Sequence, residues 1–248
     1  MLIVLHLPRT GGVSLRKALR RTYGQAFRTL KAAAEDPLEP VARTLGPEVR
    51  VAHGHVNFGL HRYLNRPTQY ATVVREPIGR TLSHFRLANK ARAESGREAI
   101  PLDRFLACPI AGNLQAELIA GVFGQGPIAE DRLAEQAAEH LASISTVGAF
   151  DDLDGFSTAL GVGKLKQRNG WGHHPELSPA QERLIHERTA IDRLLYDLVV
   201  HRSALRPQRP LALADHPLDA DPHAGNERGL AQLLPPPEAQ PHETAWMA

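Results

Sequence analysis

The chain has 248 residues, 42% hydrophobic and 23% charged, the balance of a soluble globular domain large enough for a substantial core. Its 29 Lys and Arg against 27 Asp and Glu leave a formal charge of +2 with no dominant basic block, which argues against a nucleic-acid binder. A single cysteine, Cys108, excludes an intrachain disulfide and a four-cysteine metal site, and no stretch reaches the roughly eighteen apolar residues of a membrane span.

The first element is Leu2-Ile3-Val4-Leu5, a short apolar run of the kind that fills a buried parallel strand. His6-Leu7-Pro8-Arg9-Thr10-Gly11-Gly12-Val13-Ser14 follows it. Leu15, Leu19 and Tyr23 then recur at helical spacing, with Arg16, Lys17, Arg20 and Arg21 between them. A strand, a glycine-containing turn and a helix read either as an ordinary β–α turn or as a cradle for phosphate, since a helix N-terminus presents unpaired N–H groups and partial positive charge. Gly11 and Gly12 allow close backbone approach, Thr10 and Ser14 add hydroxyls, and Arg9 adds a permanent cation. The turn is neither a Walker A loop, since Gly12 is followed by Val13, nor Gly-x-Gly-x-x-Gly.

Pro37, Pro40 and Pro47 break any long element between residues 31 and 50. Val49–Ala52 alternates like a strand and ends at His53-Gly54-His55, with Phe58 and His61 just beyond. Tyr70–Val74 reads as a buried strand that stops at Arg75-Glu76-Pro77, and Pro77 suits the first turn of a helix continued by Ile78, Leu82 and Phe85. Residues 89–101 read as a charged loop or frayed helix end. Helices are expected from about residues 113 to 122 and 128 to 142, then a last strand, Thr146–Phe150. A helix over 153–160, capped by Asp151 or Asp152, follows. Gly161–Pro175 is irregular and basic. Ser178-Pro179-Ala180-Gln181 has the form of a capping box, and Leu184, Ile191, Leu195 and Leu198 make an inward stripe that carries one helix to about His201. Eight of the nineteen prolines lie beyond Leu205, so one α/β domain is expected over residues 1–204 and a disordered tail over 205–248.

The nonapeptide at residues 6–14 resembles the 5′-phosphosulfate loop of the sulfotransferases that use PAPS (3′-phosphoadenosine 5′-phosphosulfate). The likeness is to their family-2 carbohydrate group, which contains heparan sulfate 2-O-sulfotransferase. That group reads His-Ile-Pro-Lys-Thr-Gly-Gly-Thr-Ser, so Arg9 stands where Lys is usual. Val74-Arg75-Glu76-Pro77-Ile78-Gly79-Arg80-Thr81-Leu82-Ser83 resembles its 3′-phosphate motif, and His53-Gly54-His55-Val56 its His-Gly-His-Val. The resemblance implies a P-loop-like three-layer α/β fold, with a central parallel sheet flanked by helices. It implies binding of PAPS and release of adenosine 3′,5′-bisphosphate through Arg9, Thr10, Gly11, Gly12, Val13 and Ser14, with Arg75 and Ser83 on the 3′-phosphate. A late basic loop adds Lys166, Arg168 and Asn169 as candidates. It makes His55 the base, with Arg9 stabilising the leaving oxygen.

For His55 the residues themselves rank a base first, a structural role second and a metal ligand third, because no paired Cys or acidic cluster completes a metal site. His53, Phe58 and His61 are candidates for contact with a carbohydrate or glycolipid-like hydroxyl acceptor. Asn113-Leu114-Gln115 is similar to an Asn-x-Gln segment of the group, but Glu117 replaces an Arg common there. The start lacks a basic n-region and its apolar run is too short for a signal peptide, so a cytoplasmic enzyme is expected. Two other classes stay open: a P-loop-like kinase, which would lack its Walker lysine, and a non-catalytic nucleotide- or glycan-binding protein.

Overall fold

A computed structural model describes residues 1–31, 36–165 and 176–205, with side chains through 201. Lys166, Arg168 and Asn169, and the proline-rich tail from 206 onward, lie outside the described residues. Among the described residues a five-stranded sheet forms the centre. Its strands are β1 (Leu2–Leu5), β2 (Phe27–Thr29), β3 (Val51–Gly54), β4 (Gln69–Val74) and β5 (Thr146–Ala149), in the order β2-β3-β1-β4-β5. All pairings are parallel, with Leu5 opposite Gly54 on one side and Thr72 on the other. Paired on both edges, β1 has all four side chains buried, which is why it reads as an unbroken apolar run. β2 was not legible in the sequence: Phe27 is buried and Arg28 exposed, and three residues are too few for an alternation to register.

Helix α1 (Gly12–Tyr23) packs Leu15, Ala18 and Leu19 inward against β2 and β3. After the short α2 (Leu38–Arg43), helix α3 (Pro77–Glu94) starts at Glu76, whose carboxylate accepts from Ile78 and Gly79 N–H at 3.1 and 2.7 Å. It runs on past residue 89, where a loop or frayed end was expected. The Asn89 side chain ties down Ile100 through both its N–H and its carbonyl, at 2.8 and 3.0 Å, so the following loop folds back on a helix that stays intact.

Short α4 (Leu102–Leu106) and α5 (Leu114–Ala120) lead to α6 (Glu130–Ser143), which buries Leu133, Ala137 and Leu141. Asp152 caps α7 (Leu153–Ala159) by accepting from Gly155 N–H. Ser178 and Gln181 form the expected capping box of α8 (Pro179–Arg188). The single helix read from 178 to 201 is two. Thr189 donates its hydroxyl back to Ile185 C=O at 2.7 Å and ends α8, and α9 (Ala190–Leu205) starts after it. The inward face becomes Ile185, Ile191, Asp192, Leu195 and Val199, and Leu198 turns outward. None of the described helices is long and apolar enough to cross a membrane.

The connection leaving β1 runs to β2 on one side of the sheet, and that leaving β4 runs to β5 on the other. In an open α/β sheet, ligands bind where such connections diverge, beyond the strands' carboxyl ends. Here that crevice lies between the ends of β1 and β4, with the end of β3 alongside.

Candidate functional site

Three separate sequence stretches meet at this edge. Arg9 Nε donates to Ser83 Oγ at 2.9 Å, and Arg75 Nη1 donates to the Arg9 carbonyl at 2.9 Å. The turn after β1 is thereby tied to the end of β4 and the first turns of α3. Arg9 is the one non-glycine among the described residues with positive φ, at 71°. A left-handed conformation costs an ordinary residue about 1–2 kcal/mol and persists where surrounding bonds fix it, as the bond from Arg75 does here.

Arg75 stacks its guanidinium on Phe150, 4.2 Å from the ring centroid, at the carboxyl end of β5. Burial and then the nearby Arg9 charge pull its pKa down to about 10, against the opposing pull of Asp151 and Glu76. Arg9 is also lowered by burial. Both remain cations at neutral pH, so two like charges are held together through neutral oxygens, at an edge where an anion would gain from both.

The loop glycines also have packing duties that were not read in the sequence. Gly11 is the N-cap of α1 with φ 83°, and a Cβ on it would lie 2.5 Å from Leu153 Cδ2. A Cβ on Gly12 would lie 1.9 Å from His6 Nε2, so this glycine makes room for an imidazole of the same loop. Thr10 is buried and its hydroxyl donates to Leu7 C=O at 2.7 Å, which leaves it no proton to give a ligand. Val13 is 45% exposed beside a partly exposed Ser14 in the first turn of α1, where Ser14 N–H already donates to Gly11 C=O at 3.2 Å.

The His6 ring stacks between His53 (centroids 4.8 Å apart) and His55 (4.3 Å). Burial, and then the neighbouring charges, keep all three neutral: His53 is pushed down to about 3, His6 well below 6.5, and His55 also below it. His55 Nδ1 lies 2.8 Å from His6 C=O. A carbonyl only accepts, so Nδ1 carries the proton and the lone pair of the partly exposed ring sits on Nε2. His53, 2% exposed, is the more buried of the rings that flank His6. Among the described residues no three His, Cys, Asp or Glu side chains are arranged to hold a metal ion.

Phe58 and His61 are not brought to this edge. Phe58 is buried against His140, Tyr70 and His61, while His61 directs both its N–H and Nδ1 to the Tyr70 hydroxyl, at 2.9 and 3.1 Å. Tyr70 lies opposite Ile3, near the amino end of β4, about 13 Å of strand from Val74.

Several residues without a predicted role buttress the site. Asn113, the N-cap of α5, accepts from Ile191 and Asp192 N–H at the start of α9, at 3.0 and 3.1 Å. Asp192 in return accepts from Gln115 and Ala116 N–H at the start of α5, at 3.3 and 2.8 Å. Each helix start is capped by a side chain from the other. Asp192 also faces Arg80 Nε at 3.7 Å, both side chains being fully buried. Nearby Glu117 is pushed up to about 7 by burial and by Asp192, against the pull of Arg80. The Asn113-Leu114-Gln115 segment was the trace of this network in the sequence, and its partner Asp192 was not foreseen. No family model and no curated protein matches the chain.

Proposed function

We propose that the protein is a P-loop-like, PAPS-dependent sulfotransferase that moves a sulfuryl group to a hydroxyl of a carbohydrate or glycolipid-like acceptor. The observation that carries this reading is the convergence of Arg9, Ser83 and Arg75, drawn from two separate stretches, at the divergence point of the sheet. Two adjacent cations beside a helix N-terminus fit a nucleotide with anionic groups at two positions better than one with a single phosphate chain. PAPS supplies the sulfuryl group and leaves as adenosine 3′,5′-bisphosphate.

The chain's own residues divide the remaining work. His55 Nε2 accepts the proton of the acceptor hydroxyl, because its partner nitrogen is already committed to the His6 carbonyl. Arg9 holds the negative charge that develops on the leaving oxygen and, being always protonated, does so electrostatically. Arg75 and Ser83 hold the 3′-phosphate. Arg9 in place of a lysine keeps the charge and adds the Nε–H that reaches Ser83.

Calorimetric titration with adenosine 3′,5′-bisphosphate, 5′-AMP and ATP, on wild type and Arg75→Ala, tests the reading. Preference for the bisphosphate that is lost in Arg75→Ala supports it and justifies assays with PAPS and candidate acceptors. Preference for ATP, or no binding by folded protein, overturns it.

A further inference from the structure

Arg75 lies one residue beyond the last paired position of β4, where Val74 is opposite Ala149. There a side chain takes over from the strand ladder. Gln115 Oε1 accepts from Arg75 N–H at 2.8 Å, and Gln115 Nε2 donates to Arg75 C=O at 2.9 Å. One amide side chain thus grips both polar groups of the Arg75 main chain, as a neighbouring strand would.

Gln115 is fully buried, and its orientation is dictated by its surroundings. Nε2 faces two acceptors, Arg75 C=O and Asp192 Oδ2, the latter at 3.4 Å, whereas Oε1 faces a donor. Turning the amide over would set oxygen against two oxygens. Asp192 is held in turn by Arg80. The remaining N–H groups of that guanidinium donate to Thr81 Oγ1 and to the carbonyls of Ile110, Ala111 and Gly112, at 3.0, 3.3, 3.4 and 2.9 Å. The chain of contacts from Arg80 through Asp192 and Gln115 ends on the main chain of the residue that donates to Arg9.

We infer that Gln115 is a positioning residue for the anion site: oriented by Asp192, it sets where the Arg75 guanidinium stands. The inference rests on the reading of Arg75 as the 3′-phosphate ligand. Gln115 acts through Arg75, so its removal weakens the hold on a 3′-phosphate and leaves the rest of the nucleotide site alone.

The test uses the full chain with Gln115→Met, which keeps the length and loses both bonds, and Gln115→Glu, which, protonated in this buried place beside Asp192, keeps an oxygen that accepts from Arg75 N–H and an O–H that can donate to Arg75 C=O or Asp192. Amide hydrogen exchange at Arg75 is followed by NMR, and binding of adenosine 3′,5′-bisphosphate and 5′-AMP by calorimetry. In Gln115→Met, exchange at Arg75 is expected to quicken, and bisphosphate affinity to fall about tenfold, the scale of one buried hydrogen bond. Affinity for 5′-AMP should hold, and the substitution should cost nothing further in an Arg75→Ala background. Gln115→Glu should retain exchange protection at Arg75, and it decides the matter alone if the Met variant does not fold.

Unchanged Arg75 exchange in folded Gln115→Met, equally fast exchange in the Glu variant, or equal losses for both nucleotides would overturn the inference. If wild type binds the bisphosphate no better than 5′-AMP, the phosphate reading fails. The exchange rates then still decide whether Gln115 holds the strand end.

Discussion

Arg9 reaches Ser83 across 74 positions of sequence, with 2.9 Å between Nε and Oγ. The bond joins the loop that follows the first strand to a helix that follows the fourth, so cation and hydroxyl belong to one site. Ser83→Ala removes the hydroxyl proposed to hold the 3′-phosphate, while the charges of Arg9 and Arg75 stay. Affinity for adenosine 3′,5′-bisphosphate is expected to fall about tenfold and that for 5′-AMP to hold. Parallel calorimetric titrations check this, and equal losses for the two nucleotides would contradict it.

On the proposed mechanism, His55→Ala removes the base and Arg9→Ala the charge at the leaving oxygen. Each should lower kcat by roughly two or more orders of magnitude in a folded protein that sulfates an acceptor with PAPS. The folded pKa of His55 lies below 6.5, so the lone pair is present throughout the neutral range. The wild-type rate should therefore rise with pH on the acid side and level off before 6.5. Near wild-type turnover in His55→Ala removes that residue from the mechanism.

Acid should weaken the fold through the imidazole stack. His53 is neutral in the folded state down to about pH 3, whereas an unfolded histidine takes a proton near 6.5. Below 6.5 the unfolded chain binds the extra proton, so stability falls by up to about 1.4 kcal/mol per pH unit for this residue, and His6 and His55 act in the same direction. Glu117 opposes them. Its folded pKa near 7 lies above the usual carboxylate value, so between roughly pH 7 and 4.5 the folded state holds the extra proton. Urea midpoints at pH 7.5, 6.5 and 5.5 should decline in wild type and decline more steeply in Glu117→Gln. Equal midpoints across that range would refute the sign.

Gly12→Ala should cost about 1–3 kcal/mol, because its Cβ would fall on His6 Nε2. The penalty should largely vanish in a His6→Ala background, where that ring is gone. Thermal or urea unfolding of the four members of the cycle measures the coupling, and additive losses would exclude the contact.

Much of the fold was legible because its signals are local. The apolar runs of β1 and β4, the Glu76 cap with Pro77 behind it and the Ser178 capping box each depend on a few adjacent residues. The site was legible only as three motifs. Nothing in the order of residues says that Arg9 meets Ser83, that Gly12 serves His6, or that Gln115 grips Arg75. These contacts depend on which strands lie side by side. Phe58 and His61 sat close to the histidine motif in sequence yet turn toward Tyr70, because the chain beyond β3 runs back along the sheet toward the amino end of β4. The break at Thr189 was missed because the apolar spacing across it still fits one continuous helix.

The mutual capping of Asn113 and Asp192 spans 79 positions, and it also fixes an order of events during synthesis. The loop after β1 leaves the ribosome ahead of the elements that brace it, and the fifth strand ends at Ala149, yet α9 begins only at Ala190. A nascent chain therefore carries every strand of the sheet while the Arg80 guanidinium still lacks its carboxylate and the Gln115 amide its anchor. The part of the molecule that reads earliest in the sequence is the part completed last.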